Sequence, residues 1–309
     1  MLNNVFIFIV ALFMIARGAT LATKYAARLA QNYRLSQYTV GFIIIAIISI
    51  LPELLISITA SLEGMPSFGL GMLFGSNIAD LTLIFAIIIL LTDRGLKIES
   101  KILKNHTVYP LILSLPLVLG LNGHFSRLEG IALILTGGIF YYLALRDGGD
   151  GKTRSPHRKD KLKSLLMLLF SMALLLGGAH FIVSSATALA THFGVSPILI
   201  AMLVVALGTT IPELVFALKS AREHEDSLAV GDILGTVLAD ATIVVGVLAL
   251  IHPFFFPQKI IYITGVFMVV ASYILFRFMR SGRTVSRREA YLLFGFWVVF
   301  VIVEFFVSA

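Results

Sequence analysis

The 309-residue chain has no cysteine, so it can form neither a disulfide nor a thiolate-held metal site. Charge is nearly as scarce. Asp, Glu, Lys and Arg make up 13% of the residues, where a water-soluble domain carries about a quarter. With 58% hydrophobic residues and a mean hydropathy of +0.97, this excludes a soluble globular fold and points to a polytopic all-α membrane protein. A basic segment ahead of the first apolar stretch, Val5 to Ile15, is missing, and so is a small-residue cleavage site after it. The stretch therefore reads as a first membrane helix and not as a signal peptide.

A bilayer core takes about 20 apolar residues per helix. That ruler predicts ten spans, near 3–23, 37–61, 67–91, 106–122, 126–145, 164–190, 195–219, 227–251, 257–278 and 289–308. The fourth is short and holds Pro110 and Pro116. A net charge of +7 could suggest nucleic acid, but the basic residues are placed by topology. If successive loops alternate between two faces, 21 of the 24 Lys and Arg fall on one face, from Lys24, Arg28 and Arg34 to Arg283, Arg287 and Arg288. A missed or invented span would scramble that segregation. The positive-inside rule then puts these loops in the cytoplasm and both termini outside, in a plasma or bacterial-type inner membrane. The run 146–163 is Gly-rich and basic and reads as a solvated cytoplasmic linker, with anionic lipid headgroups as a possible contact.

The second half repeats the first at an offset of 160 residues, without a gap. Ser49-Ile50-Leu51-Pro52-Glu53-Leu54 returns as Thr209-Thr210-Ile211-Pro212-Glu213-Leu214. Gly71, Gly75, Ser76 and Asp80 return as Gly231, Gly235, Thr236 and Asp240, and Gly18-Ala19 as Gly178-Ala179. Each repeat holds five spans, 1–145 and 164–309. Five is odd, so the second copy enters from the opposite face. This is the inverted-repeat architecture of many secondary transporters, whose substrate sites lie near the midplane at the repeat interface.

The repeated helices gather oxygen. Pro52 and Pro212 lack an N–H, which leaves the carbonyls of Ile48 and Gly208 without their helical donors. Ser49 and Glu53, Thr209 and Glu213, and Ser76 and Asp80 are spaced i, i+4, and Asp232, Thr236 and Asp240 form a longer stripe. Hydroxyls, carbonyls and carboxylates without cysteine or nearby histidine suit Ca²⁺ and Na⁺, not zinc or copper. Glu53, Asp80, Glu213, Asp232 and Asp240, all ionised, total −5 against the +2 of one Ca²⁺. Protons or monovalent cations must supply the balance, which is a physical basis for coupling.

The paired motifs at 46–80 and 206–240 resemble the two α-repeats of the sodium/calcium exchanger family, in the calcium/cation antiporter superfamily. They are Ser-x-Leu-Pro-Glu-Leu with Gly-Ser-Asn-Ile-Ala-Asp, and Ala-Leu-Gly-Thr-Thr-Ile-Pro-Glu-Leu with Gly-Thr-Val-Leu-Ala-Asp. The resemblance covers essentially the whole chain. It implies a Ca²⁺ site made by Glu53, Asp80, Glu213 and Asp240. It also implies Na⁺ ligands from Ser49, Ser76, Thr209, Thr210 and Thr236, with the carbonyls of Ala46 and Ala206, and sliding of helices 1 and 6 to alternate access. This chain departs from the family pattern in having Ile48-Ser49-Ile50 where Gly-Thr/Ser-Ser/Thr is usual, and Met72 and Asp232 where Asn is frequent.

The expected function is therefore Ca²⁺/Na⁺ antiport, with no resident cofactor and no enzymatic activity. Three other readings remain open. Exchange of Ca²⁺ for H⁺ is favoured by the extra acid at Asp232. Against it, dedicated calcium/proton exchangers typically carry Gly-Asn before the glutamate and some have an acidic stretch between the halves, whereas this chain has Pro and a basic linker. An intramembrane aspartyl protease would use Asp80 with Asp240 or Asp232, but its Gly-x-Gly-Asp signature is missing and the repeated Pro-Glu goes unexplained. In a channel, closely packed carboxylates would hold divalents too tightly for fast conduction. Nothing in the sequence bears on oligomeric state.

Overall fold

The computed structural model describes residues 2–30, 46–92, 94–98, 108–147 and 161–308. Among them the helices run α1 (Leu2–Ala30), α2 (Ala46–Leu62, broken at Ile50), α3 (Pro66–Thr92), α4 (Val108–Asn122), α5 (Arg127–Asp147), α6 (Lys161–Phe193), α7 (Pro197–Arg222), α8 (Asp226–Ile251), α9 (a π turn, Ile260–Gly265, continued by Val266–Gly282) and α10 (Arg287–Ser308). Eight of these are long and apolar enough to cross a membrane; α2 and α4 are shorter apolar helices at the places expected for spans two and four. The expected stretch 37–45, the basic residues Arg34, Lys101 and Lys104, and linker residues 148–160 lie outside the described residues. Two helices overrun their expected spans: α1 continues to Ala30, and α6 runs from Lys161 to Phe193. Hydropathy measures the bilayer, whereas good helix formers such as Ala and Leu carry the backbone helix past its apolar part.

The 160-residue repeat is present in the backbone. The turn after α2 and the turn after α7 are the same C-terminal motif. Gly64 N–H bonds Ser61 O and Met65 N–H bonds Ala60 O at 3.1 and 2.8 Å; His224 N–H bonds Ala221 O and Glu225 N–H bonds Ser220 O at 3.1 and 2.8 Å. The left-handed residue is Gly64 (φ 78°) in one copy and His224 (φ 61°) in the other. α5 and α10 open with equivalent capping boxes, in which Ser126 pairs with Glu129 and Ser286 with Glu289.

Two small antiparallel bridges tie the loops. β1 (Leu96–Lys97), after α3, pairs with β4 (Thr284–Val285), after α9; β2 (His124–Phe125), after α4, pairs with β3 (Phe254–Phe255), after α8. Each bridge joins loops an even number of helices apart, as alternating passage through a bilayer requires. Beside β1, Arg94 makes a two-pronged ion pair with Asp226 at the start of α8, at 2.6 and 2.8 Å, and Lys97 N–H adds a bond of 2.9 Å to the same carboxylate. That hydrogen-bonded carboxylate raises the Arg94 guanidinium above its ordinary pKa.

α3 and α8 form the centre and are largely buried, whereas α10 and α5 face outward with residues such as Phe305, Leu135 and Ile139. The first half of α2 packs on α8, and the first half of α7 on α3, so each repeat supplies a partner to the other. α1 and α6 lie along one another outside this core, with Gly18 against Leu175 and Gly178 against Ile15.

Candidate cation site

Four helices carry the site, and each is irregular where it does so. α2 breaks at Ile50 (φ −70°, ψ −7°) and α7 at Thr210 (φ −79°, ψ −7°). Pro52 and Pro212 then sit in the first turn of a new helix, where a missing N–H costs nothing. Glu53 and Glu213 follow, each in the first turn of that new helix, whose dipole favours negative charge. In α3 and α8 one turn widens to π geometry beginning at the acid, Asp80–Ile84 and Asp240–Val244. Thr82 and Thr242 donate to the carbonyls of Ile78 and Leu238 at 2.5 and 2.6 Å and so hold these turns from inside. Such single π turns gather at functional sites because they re-aim a side chain within a continuing helix.

All the predicted acids are buried: Glu53, Asp80, Glu213, Asp232 and Asp240 are each at most 1% exposed. The charge of one reaches others of the set. Glu53 and Asp80 feel Asp232, Glu213 feels Glu53, Asp80 and Asp232, and Asp240 feels Glu53 and Asp80. Every charge acting on a member is another member of the set. Ser49 donates to Asp232 Oδ1 at 3.1 Å across the α2–α8 contact, and Thr209 lies against Glu53. Oxygens without a protein hydrogen-bond partner include Glu53 Oε2, Asp80 Oδ1, Asp232 Oδ2, Thr236 Oγ1, and both carboxylate oxygens of Glu213 and of Asp240. Stranded buried carboxylates are costly, and mobile cations or protons are the natural complement.

Among the described residues no three acidic or imidazole side chains close to the spacing of shared metal ligands. Mutual repulsion keeps carboxylates apart, and a hard cation draws on hydroxyls and carbonyls as well.

The predicted hydroxyls are buried too, and most donate into their own helix, which leaves lone pairs outward. Ser76 bonds Leu73 O at 3.0 Å, Thr209 bonds Ala206 O at 3.0 Å and Thr210 bonds Leu207 O at 3.1 Å. The Ala46 carbonyl accepts Ile50 N–H at 3.0 Å and keeps a lone pair. The Ala206 carbonyl accepts both Thr210 N–H, at 3.1 Å, and the Thr209 hydroxyl, so both of its lone pairs are engaged.

Several polar groups went unnoticed in the sequence. Ser57 Oγ, Ser61 Oγ and Asn77 Oδ1 are buried without partners, and all three lie in the first repeat, where the offset positions are Ala217, Ala221 and Val237. The i, i+4 stripe Ser49-Glu53-Ser57-Ser61 was the available signal. Tyr109 and Tyr141 donate to the carbonyls of Leu234 and Gly235 at 2.5 and 2.6 Å and so support α8 beside Thr236.

Both halves match one family model, that of the sodium/calcium exchanger protein, over residues 3–146 and 163–306. The chain belongs to this family. It is 28% identical over 260 residues to the inner membrane protein YrbG of Escherichia coli, covering 79% of each chain. It is 29% identical to the putative antiporter CaxA of Alkalimonas amylolytica over 74% of each chain, and 25% identical to the sodium/calcium exchanger MaX1 of Methanosarcina acetivorans over 98% of this chain and 99% of that one. The fold matches the solved sodium-calcium exchanger NCX_Mj, soaked with Na⁺ and Ca²⁺, with a TM-score of 0.74 at 22% identity over 98% of both chains. The chain is thus an integral membrane protein of a transporter family, built as two repeats.

Proposed function

We propose that this protein is a secondary active antiporter that exchanges Ca²⁺ for Na⁺ by alternating access. The observation that carries the reading is the set of five buried carboxylates with unpartnered oxygens on α2, α3, α7 and α8 of a sodium/calcium exchanger family member. Glu53, Asp80, Glu213 and Asp240 bind Ca²⁺. Ser49, Ser76, Thr209, Thr210 and Thr236, with the Ala46 carbonyl, take Na⁺, and the Ala206 carbonyl joins only when Thr209 turns away from it. Na⁺ entering beside the same carboxylates weakens Ca²⁺ binding because both draw on one store of negative charge. The units are 1–145 and 164–309, joined by a cytoplasmic linker at 146–163, with the basic loops inside and both termini outside. α1 and α6 slide as a pair across the core to expose the site to either face.

One observation favours a second reading. Asp232, buried and held by Ser49, adds a fifth acid where the offset position is the apolar Met72, and a proton carried there would make the exchange Ca²⁺/H⁺. Uptake of ⁴⁵Ca²⁺ into proteoliposomes loaded with Na⁺, with K⁺, or at low internal pH separates the two. Uptake driven only by outward Na⁺ supports sodium exchange, and uptake driven only by protons supports the second reading. Absence of uptake under every gradient overturns both.

A further inference from the structure

Glu304 is a membrane acid outside the carboxylate cluster. It lies near the end of α10 and is 2% exposed. An ionisable group buried within a membrane helix is costly enough to point to a role. Its Oε1 accepts the Thr264 hydroxyl at 2.5 Å, and the same hydroxyl lies 3.6 Å from Met202 Sδ. Thr264 belongs to the π turn of α9, and Met202 to a second π turn, Ala201–Val205, in α7. α10 also packs on a third, Asp80–Ile84. The Met202 main chain is the surface that α3 meets at Gly75, where a Cβ would lie 2.1 Å from the Met202 carbonyl oxygen. Glu304 thus stands beside the π turn of α9 and, through Thr264, one contact away from the π turn of α7. Its link runs through Thr264 to Met202 and on to the stretch that carries Thr209 and Thr210 toward Glu53.

We propose that Glu304 is a positioning residue for the monovalent-cation half of the exchange: its bond to Thr264 sets the π turn at Met202 and, through it, the hydroxyls of Thr209 and Thr210. The idea rests on the exchange reading above. The hydroxyls lie on the linked half of α7, whereas Glu213 lies beyond the break at Thr210, so the effect falls on Na⁺ more than on Ca²⁺.

The test compares Glu304→Leu, Glu304→Gln and Thr264→Val with wild type in proteoliposomes, recording Na⁺-driven ⁴⁵Ca²⁺ uptake against Na⁺ concentration and Ca²⁺ concentration separately. Glu304→Leu and Thr264→Val are expected to raise the Na⁺ needed for half-maximal exchange by about tenfold, the worth of one buried hydrogen bond. Maximal rate and half-saturating Ca²⁺ stay near wild type. Glu304→Gln, which keeps an acceptor oxygen, is expected to restore most of the Na⁺ dependence, and the double variant Glu304→Leu/Thr264→Val to be no worse than either single one. Unaltered Na⁺ dependence in both singles, additive losses, or equal losses of Na⁺ and Ca²⁺ affinity overturn the proposal. Thr264→Val keeps the side-chain shape, so it stands as the test if Glu304→Leu does not fold. Wild-type vesicles that exchange nothing overturn the exchange reading as well, whereas wild-type exchange with unaltered variants overturns only the role of Glu304.

Discussion

Replacing Gly75 with alanine probes a close main-chain approach of α3 to α7 beside the site. The new Cβ would lie 2.1 Å from the Met202 carbonyl oxygen, 2.9 Å from its carbon and 3.0 Å from its Cα, where ordinary contact begins at 3.4 Å. α3 and α7 must therefore part by more than 1 Å. The obstacle is backbone, which cannot turn aside as a flexible side chain does. Overpacking a core costs about 1–3 kcal/mol, and a rigid obstacle puts this site at the upper end, about 3 kcal/mol. The gain from replacing a helical glycine, about 0.5–1 kcal/mol, offsets only part of that. Gly138 and Gly295, on α5 and α10, supply the controls, because a Cβ at either meets nothing within 4 Å. Alanine there should be neutral or mildly stabilising. Thermal unfolding in detergent, read together with Ca²⁺ uptake, separates the cases. Gly75→Ala should melt several degrees below wild type and exchange poorly, whereas the two controls should not. A Gly75→Ala protein with unchanged melting and uptake would refute the reasoning, because it would mean that α3 and α7 are not in main-chain contact beside the site.

Glu213→Gln should reduce Na⁺-driven Ca²⁺ uptake to background, whereas Asp232→Asn should keep uptake and alter the number of monovalent charges moved per Ca²⁺, read from the reversal potential of exchange. Asp226→Asn weakens the half-buried pair with Arg94 and should cost about 1–2 kcal/mol by thermal unfolding; in a double-mutant cycle with Arg94→Ala, strictly additive losses would mean that the two residues are not coupled. His224→Gly relieves a left-handed backbone that the equivalent turn gives to Gly64, and should stabilise the protein by about 0.5–1 kcal/mol. Lower stability in that variant would mean that the imidazole makes contacts worth more than the strain.

The parts of this molecule legible from sequence are those that recur or contrast with lipid. Apolar runs located the helices, and the offset joining Pro52-Glu53 to Pro212-Glu213 and Asp80 to Asp240 located the acids, because a charge in an apolar span stands out. The π turns were hidden. A single widened turn leaves an apolar pattern unchanged, and only the threonine two residues after each acid, Thr82 and Thr242, could have signalled it. Glu304 gives no local signal, because an acid near a span end is compatible with the interface, and its bond is to Thr264 on another helix. Ser57 and Asn77 have no counterpart in the second repeat, so a search by symmetry discards them. Arg94 sits in the loop after α3 and Asp226 at the start of α8, and nothing local in the sequence connects them.

The repeat is kept and broken at different levels, and the division bears on coupling. What is kept is backbone: the breaks at Ile50 and Thr210, the π turns at Asp80 and Asp240, and the four acids those features present. What is broken is the remaining oxygen. The second repeat has Thr210 and Asp232 where the first has Ile50 and Met72, and the first has Ser57, Ser61 and Asn77 where the second has Ala217, Ala221 and Val237. When an inverted repeat passes from one face-open state to the other, its halves exchange conformations. The symmetric acids then offer a divalent ion nearly the same field in both states. The asymmetric oxygens do not, so a monovalent ion that depends on them meets a different ligand set on each side. On the proposed reading, the charge that holds Ca²⁺ is fixed by the architecture, whereas the identity and number of the counter-ions are set by side chains that the two repeats do not share.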